Sequence, residues 1–368
     1  MRPDARVAVN LLWCVPGGVG RSEEYLVRQL LGLAEAAPHL RPTLYVVDGF
    51  VAAHPQLAEL FPTIVGPFDG TSRLRRIAGE FTWFRRQASA ADLRHHGGGT
   101  APLGAARPYV LTIHDLQYLT FPEYFTRAKR TYLASMVSRS VRQARMVAVP
   151  SEYVRASVID AFGAEASRVS VVPHGFERDL LSNITSEPEL RERYSLDDMP
   201  VIVYPAVTHP HKNHQFLIDL LSTEWHDADV LLVLIGGSGS TEGAVQSAAD
   251  PRIRRLGRVP AADRNGLLKM ADAMVFPSRY EGFGAPLIEA MALGCPVIAS
   301  DSTCIPAIVG GAGLVLPLRA EAWADALDRA RRDRTTMIAA GLSRSRSFTA
   351  RASGESLAAV YARALEAA

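Results

Sequence analysis

Two glutamates, a lysine, a glycine loop and a histidine are the residues whose types and spacing could do chemistry. Tyr280-Glu281-Gly282-Phe283-Gly284-Ala285-Pro286-Leu287-Ile288-Glu289 follows an apolar run that ends at Phe276-Pro277. Glycines just beyond a strand let backbone amides approach a ligand, and a helix starting near Pro286 would aim its positive end at the same point. Glu281 falls in the loop and Glu289 about one turn into the helix. Carboxylates accept the paired hydroxyl hydrogen bonds that a sugar or a ribose offers. The plainer alternative is a strand–turn–helix in which Glu281 is a cap and Glu289 a surface charge.

Thr208-His209-Pro210-His211-Lys212-Asn213-His214 follows a second apolar run. It sets Lys212 at a helix start, where an ammonium group can neutralise a diphosphate. The three histidines lack a carboxylate or cysteine partner in this turn and do not read as a metal site. Pro16-Gly17-Gly18-Val19-Gly20 suggests a dinucleotide fingerprint only superficially, because the G-x-G-x-x-G order is missing, although Asp48 ends the second strand much as a ribose-binding acid would. It reads better as a glycine loop whose amides face a diphosphate. His114 closes the run Thr112-Ile113-His114, and a histidine at a strand's carboxyl end is as well placed for a ligand as for a structural role.

These residues need elements to hold them. Strands are expected at 6–12, 43–47, 108–113 and 146–149, with an amphipathic helix after Gly20 and a long basic helix over 127–145. The pattern restarts after a polar stretch near 181–199, with strands at 201–204, 230–235, 273–276 and 296–299. Strands alternating with helices predict parallel sheets covered on both faces. The expected architecture is α/β, two doubly wound domains with a boundary near residue 185 and a ligand cleft between them. His95-His96-Gly97-Gly98-Gly99 reads as a local glycine-rich loop.

Composition sets the remaining bounds. The chain has 368 residues, 48% of them hydrophobic, which suits a globular protein of two domains. It contains no run of about 18 apolar residues. Met1-Arg2-Pro3-Asp4 leads into a strand rather than the apolar core of a signal peptide. Cys14, Cys295 and Cys304 are too few and too irregularly spaced for a disulfide framework or a zinc site, so a reducing cytoplasm is expected. A net charge of +2 makes no case for nucleic-acid binding, although Lys+Arg outnumber Asp+Glu 21 to 16 in residues 1–180 and trail 19 to 22 in 181–368. Within 73–86, Arg73-Leu74-Arg75-Arg76 and Phe81-Thr82-Trp83-Phe84-Arg85-Arg86 mix arginines with aromatics. This stretch is either an interfacial segment for peripheral membrane contact or a solvated helix face with its aromatics in the core.

Taken together, these pieces resemble glycosyltransferase family 4, the retaining GT-B enzymes. The resemblance runs along nearly the whole chain: the Gly17-Gly18-Val19-Gly20 loop, His114-Asp115-Leu116, Val149-Pro150-Ser151-Glu152, Val172-Pro173-His174-Gly175, Pro210-His211-Lys212-Asn213-His214, Leu256-Gly257-Arg258-Val259, and Glu281 and Glu289 with seven residues between them. Ser347-Phe348-Thr349 followed by a helix through Val360-Tyr361 is similar to the family's C-terminal helix, which crosses back onto the first domain. The implied domains are 1–184, a Rossmann-like acceptor-binding domain; 185–347, a Rossmann-like nucleotide-sugar domain; and 348–368, the returning helix.

The resemblance also implies roles. Glu281 with the amides of Phe283, Gly284 and Ala285 would hold the donor sugar, and Glu289 the ribose. Lys212 and the Gly18 amide would neutralise the diphosphate, His114 would sit by the sugar's reacting face, and the backbone at Arg258-Val259 would meet the base. Val19, Gly282 and Leu287 complete the expected donor set. No cofactor or divalent metal is implied, because a lysine and helix ends balance the leaving charge.

Two departures stand out. Val207 occupies a position where the family commonly has Arg, and the form from Tyr204-Pro205 to His214 resembles a branch that lacks it. Ala307 and Gly310-Gly311 replace the usual Glu and Gly-Asp beyond Asp301. The implied activity is retaining hexosyl transfer to a glycan, lipid-linked or small-molecule acceptor. Mannose from GDP-mannose is favoured over UDP-sugars, although no residue separates guanine from uracil. The rival readings are a non-catalytic, glycosyltransferase-like binding subunit and an NAD-dependent enzyme.

Overall fold

A computed structural model describes residues 5–176 and 178–366, apart from the side chains of Arg73 and Arg178; Met1–Asp4 lie outside the described residues. The chain divides into two compact units, Met1–Gly175 with Thr349–Ala368, and Phe176–Phe348. The first unit ends at Gly175 rather than at 184 because the segment beyond it is bonded into the second. Asn265 Nδ2 donates to the carbonyls of Leu180 (3.4 Å) and Asn183 (3.1 Å), and the Thr185 amide donates to Ala262 O (3.1 Å).

Among the described residues the first unit holds a seven-stranded parallel sheet: β1 Val7–Leu11, β2 Thr43–Val46, β3 Thr63–Val65, β4 Leu93–His96, β5 Tyr109–Thr112, β6 Met146–Val149 and β7 Val169–Val171. Their spatial order is β3-β2-β1-β4-β5-β6-β7. The second unit holds a six-stranded parallel sheet: β8 Val201–Pro205, β9 Leu231–Ile235, β10 Ile253–Gly257, β11 Ala273–Phe276, β12 Val297–Ser300 and β13 Leu314–Leu316, in the order β10-β9-β8-β11-β12-β13. Each sheet reverses its winding once, between β1 and β4 and between β8 and β11. Ligands of open parallel sheets meet the loops that leave the carboxyl ends of the strands at such a reversal.

The eight strands expected from apolar runs are present. β3, β7 and β13 are only three residues long, too short for a period to show. In β10, half-exposed Arg254 and Arg255 interrupt the apolar pattern. β4 is the instructive case. His95 and His96, read as part of a glycine-rich loop, instead end a central strand, and only Gly97–Gly99 form the turn. Their polarity is absorbed by partners far along the chain. His95 lies between Tyr361 OH (2.8 Å) and Thr112 Oγ1 (2.8 Å), His96 Nδ1 lies 3.3 Å from Asn10 Nδ2, and Arg94 donates to Ala88 O (2.8 Å). Burial pushes both imidazoles down to about 3, so they stay neutral.

The helix Ala350–Glu366 belongs to the first unit, where it packs on the helix Arg21–Ala36 and against the sheet. Two glycines set this crossing. A Cβ on Gly354 would lie 2.0 Å from Gly32 C, and one on Gly32 would lie 1.7 Å from Ala350 O, so the two backbones touch. Ser353 Oγ donates to Pro173 O (2.6 Å) and Arg363 Nη1 to Ser170 Oγ (2.7 Å), which fasten the helix along its length. Gly354→Val is therefore expected to cost about 3 kcal/mol or more by overpacking. Gly243→Ala, whose Cβ would meet nothing within 4 Å, should change stability by less than about 0.5 kcal/mol. Thermal melts of the two variants check this, and equal melting temperatures would contradict the close crossing.

Candidate active site

In the second unit the loops after β8 and β11 leave adjacent strands at the winding reversal, and cross-bonds bind them together. Tyr204 OH, at the end of β8, donates to Lys212 O (2.6 Å) and lies 3.1 Å from Ser278 Oγ. Asn213 Nδ2 donates to Pro277 O (3.3 Å), and the Arg279 amide to His211 O (2.7 Å). Asn213 takes φ 57°, a left-handed conformation that asparagine tolerates, and so starts the helix His214–Ser222 directly after the turn. At the end of this seam Lys212 Nζ meets Glu281 Oε1 at 2.5 Å. The two side chains are only 19% and 11% exposed, so the pair is largely withdrawn from water.

Glu281 is held from its other side by the loop after β12. Its amide donates to Thr303 Oγ1 (3.1 Å), and the Cys304 thiol donates to its carbonyl (3.3 Å). Thr303 sits at φ 53°, a strained position for a β-branched residue. The loop beyond Asp301, left open by the Ala307 and Gly310-Gly311 departures, is thereby given a shape: Arg344 clamps it by donating to Ile308 O (3.0 Å) and Ala307 O (2.6 Å). Sequence reasoning missed Tyr204, Ser278 and Thr303. The only available signal was a hydroxyl residue at or just beyond each strand's carboxyl end.

Gly282, Phe283 and Gly284 form the turn into the helix Ala285–Ala292, with Gly284 at φ 83° and Pro286 in the first turn. Phe283 packs edge-on against Phe348 at 5.7 Å, and Leu287 is buried. Glu289 is fully buried on this helix, which rules out the surface-charge alternative. Arg258 is exposed and Val259 half-buried, just past β10, and a Cβ on Gly237 would lie 3.0 Å from Arg258 Nε. Thr208 ties the neighbouring loop down: its Oγ1 donates to Glu242 Oε2 (2.6 Å) and accepts from the Gly239 amide (2.7 Å). The histidines of the turn disperse. His209 and His211 stack on each other at 5.8 Å, whereas His214 packs on Tyr204 at 4.7 Å. Among the described residues, no group of three or more His, Cys, Asp or Glu is placed to hold a metal ion.

The first unit carries Gly18, Val19 and His114. The Gly18 amide donates to Val15 O (2.9 Å), so a phosphate could take it only in place of that carbonyl. Val19 packs half-buried against the core. His114 Nε2 must donate to Gly97 O (2.8 Å), since a carbonyl only accepts. Its ring lies 5.7 Å from Trp13 and 5.5 Å from Tyr25. Burial lowers its pKa, against the Gly97 bond and the Asp115 charge, leaving a neutral ring whose Nδ1 can accept. In residues 73–86, Phe84 is buried against Tyr45 (5.1 Å), and Trp83 lies 6.0 Å from both Tyr45 and Phe68. These two aromatics face the core, while Leu74, Arg85 and Arg86 are exposed, and the side chain of Arg73 lies outside the described residues. No helix among the described residues is long and apolar enough to cross a membrane.

Comparison with known proteins finds two family models along the chain, Glycosyltransferase Family 4 over residues 16–180 and Glycosyl transferases group 1 over residues 199–333. The O-antigen chain mannosyltransferase B of Escherichia coli is 32% identical over 254 residues, 63% of this chain and 64% of that protein. A GDP-mannose-dependent alpha-(1-6)-phosphatidylinositol monomannoside mannosyltransferase of Mycolicibacterium smegmatis is 28% identical over 257 residues, 65% of this chain and 64% of that protein. The match thus spans a little under two thirds of each relative. Among solved structures, sucrose-phosphate synthase from Thermosynechococcus elongatus superposes with TM-score 0.77 at 22% identity, over 99% of this chain and 100% of that one. HepE of Anabaena, solved with UDP and glucose, gives 0.74 at 21%, over 97% and 99%. These likenesses establish the GT-B fold.

The Lys212–Glu281 contact is expected to be energetically coupled in the ligand-free protein. A double-mutant cycle with Lys212→Met and Glu281→Gln, read by urea unfolding, should return a coupling of about 1–3 kcal/mol. A coupling near zero would mean that the pair does not form in solution.

Proposed function

Because the chain belongs to glycosyltransferase family 4, we propose that it is a retaining, metal-independent hexosyltransferase that uses a nucleotide diphosphate sugar. The observation that carries this reading is the largely buried Lys212–Glu281 pair at the sheet's winding reversal. In the free protein each charge compensates the other. A donor diphosphate, with more negative charge than one carboxylate, would take over the ammonium group. Glu281 would then turn its acceptor oxygens to the sugar hydroxyls, supported by Thr303 and Cys304 on its backbone. The turn from Gly282 to Ala285 would bring amides and a helix start to the same group. Glu289 would bind the ribose and Arg258-Val259 the base, as the resemblance implies. With Val207 where the family commonly has Arg, Lys212 is the sole lysine or arginine from Tyr204 to His214, and it would carry more of the leaving charge.

Retention without a nucleophile suits front-face attack. The bond from the sugar's anomeric carbon to the diphosphate oxygen breaks, and an acceptor hydroxyl enters from the same side. Its proton passes to the departing phosphate oxygen. Glu281 and the neutral His114 would position rather than attack, and His114 and the Gly18 amide rest on the family resemblance for these roles.

GDP-mannose is the favoured donor, supported by the mannosyltransferase relatives; a UDP-sugar is the second reading, supported by the neighbour solved with UDP. A glycan or lipid-linked acceptor fits the same relatives by name. For peripheral lipid contact through 73–86, the remaining support is Leu74, Arg85 and Arg86 on the surface.

Lys212→Ala and Glu281→Ala should each retain a cooperative melt and release nucleoside diphosphate from GDP-mannose or UDP-glucose at least about 100-fold more slowly than wild type. Wild-type rates in both variants would refute the reading. A thermal-shift panel of GDP, UDP, ADP and TDP identifies the base, with a GDP-selective shift expected.

A further inference from the structure

Three arginines stand at the entries of neighbouring strands in the first unit. Arg107 is two residues before β5, Arg145 directly before β6 and Arg168 directly before β7. These strands are adjacent and parallel, about 4.8 Å apart, so their amino ends lie in a row. Arg142, in the last turn of the helix Arg127–Gln143, and Arg363, in the last turn of the helix Ala350–Glu366, reach the same edge. All five line one open cleft of about 970 Å³, at the large end of the roughly 300–1,000 Å³ range of small-molecule sites. The loops that carry Gly18 and His114 leave the opposite, carboxyl ends of this sheet.

The cleft's charge is unbalanced. Glu165 and Glu366 are the acidic residues that line it, which leaves a surplus of three positive charges. None of the five arginines forms an ion pair among the described residues. Two of them are held by neutral oxygens instead. Arg168 Nη2 donates to Val141 O (3.1 Å) and Arg142 O (3.3 Å), and Arg363 donates to Ser170 Oγ (2.7 Å) and Ser167 O. Arg107 and Arg142 are exposed, and their guanidinium groups have no hydrogen-bond partner among the described residues.

Like charges gathered in a concave surface hold a positive potential that draws anions. Each guanidinium also offers a planar fork that takes phosphate oxygens two at a time. A triphosphate chain concentrates comparable negative charge in a span that one cleft can hold. A bilayer is the poorer partner, because none of the exposed large hydrophobic side chains lines the cleft to serve as an apolar anchor. We infer that this cleft is a binding site for a soluble polyphosphate, with Arg168 and Arg363 as its fixed part and Arg107 and Arg142 closing on the phosphates. The inference is independent of the transferase reading, since Lys212 and Glu281 belong to the other unit.

Isothermal titration calorimetry of the whole chain with inorganic triphosphate at low ionic strength tests it, with Arg107→Gln/Arg142→Gln as the cleft variant. Both positions are exposed, and the variant's melt reports on folding. The variant should bind at least about tenfold more weakly than wild type, as expected when charge-assisted contacts are lost. Inorganic monophosphate should bind wild type at least about tenfold more weakly than triphosphate, since it cannot span several forks. Lys212→Gln should keep the binding that depends on Arg107 and Arg142. So should Arg319→Gln/Arg346→Gln, which removes two exposed charges from the second unit. The proposal is overturned by no triphosphate binding to wild type, by equal affinity for monophosphate, or by an equal loss in the Arg319/Arg346 variant. Binding that vanishes in Lys212→Gln but persists in the cleft variant would overturn it too. The same holds if the chain ignores triphosphate but cosediments, through Arg107 and Arg142, with vesicles of phosphatidylglycerol and phosphatidylcholine in equal parts.

Discussion

The ion pair between Lys212 and Glu281 is the constraint around which the second unit is arranged. Removing either charge from water carries an effective penalty of several kcal/mol, so neither side chain would hold its largely buried position without the other. The pair in turn needs its two loops in register, although they lie some seventy residues apart in the chain. The bonds from Tyr204, Asn213 and the Arg279 amide provide that register before any ligand arrives. On the proposed reading, a site organised in this way would spend little on reordering when a diphosphate exchanged for the carboxylate, and such preorganisation is where electrostatic catalysis gains most.

Both units solve the positioning problem in the same manner. Each parallel sheet reverses its winding once, and the loops leaving the two strands at that reversal carry the chemistry-bearing residues. In the second unit these loops hold Lys212 and Glu281. In the first they hold Trp13 with the glycine loop on one side, and Gly97 and Gly98 on the other. His114, one strand further along, is drawn to them by its bond to the Gly97 carbonyl. The C-terminal helix contributes from a distance: Tyr361 bonds His95, the residue next to His96, which steadies Asn10.

Much of this was legible in the sequence wherever an apolar run was long enough to show a period. The central strands and the segment holding Glu281 and Glu289 were readable because residue type and spacing are local properties. The cross-bonds were not. Nothing adjacent to Tyr204 or Thr303 marks them as partners of residues in other loops, because those partners are set by strand order and not by spacing. β4 was hidden for the opposite reason: Arg94, His95 and His96 look like a polar loop until Tyr361, Thr112 and the Ala88 carbonyl are brought to them. The glycine loop was recognisable, but the engagement of the Gly18 amide with Val15 was not, since a turn's internal bond leaves no mark on composition.

If a diphosphate takes over Lys212 from Glu281, the second phosphate of a nucleotide should matter mainly through that lysine. Calorimetric titration of wild type and Lys212→Gln with GDP and GMP, or with UDP and UMP if uracil proves the tighter base, measures this directly. The account predicts that wild type favours the diphosphate by about 10- to 100-fold, as one charge-assisted hydrogen-bonded contact would give, and that the preference falls close to one in Lys212→Gln. An undiminished preference in the variant would contradict it.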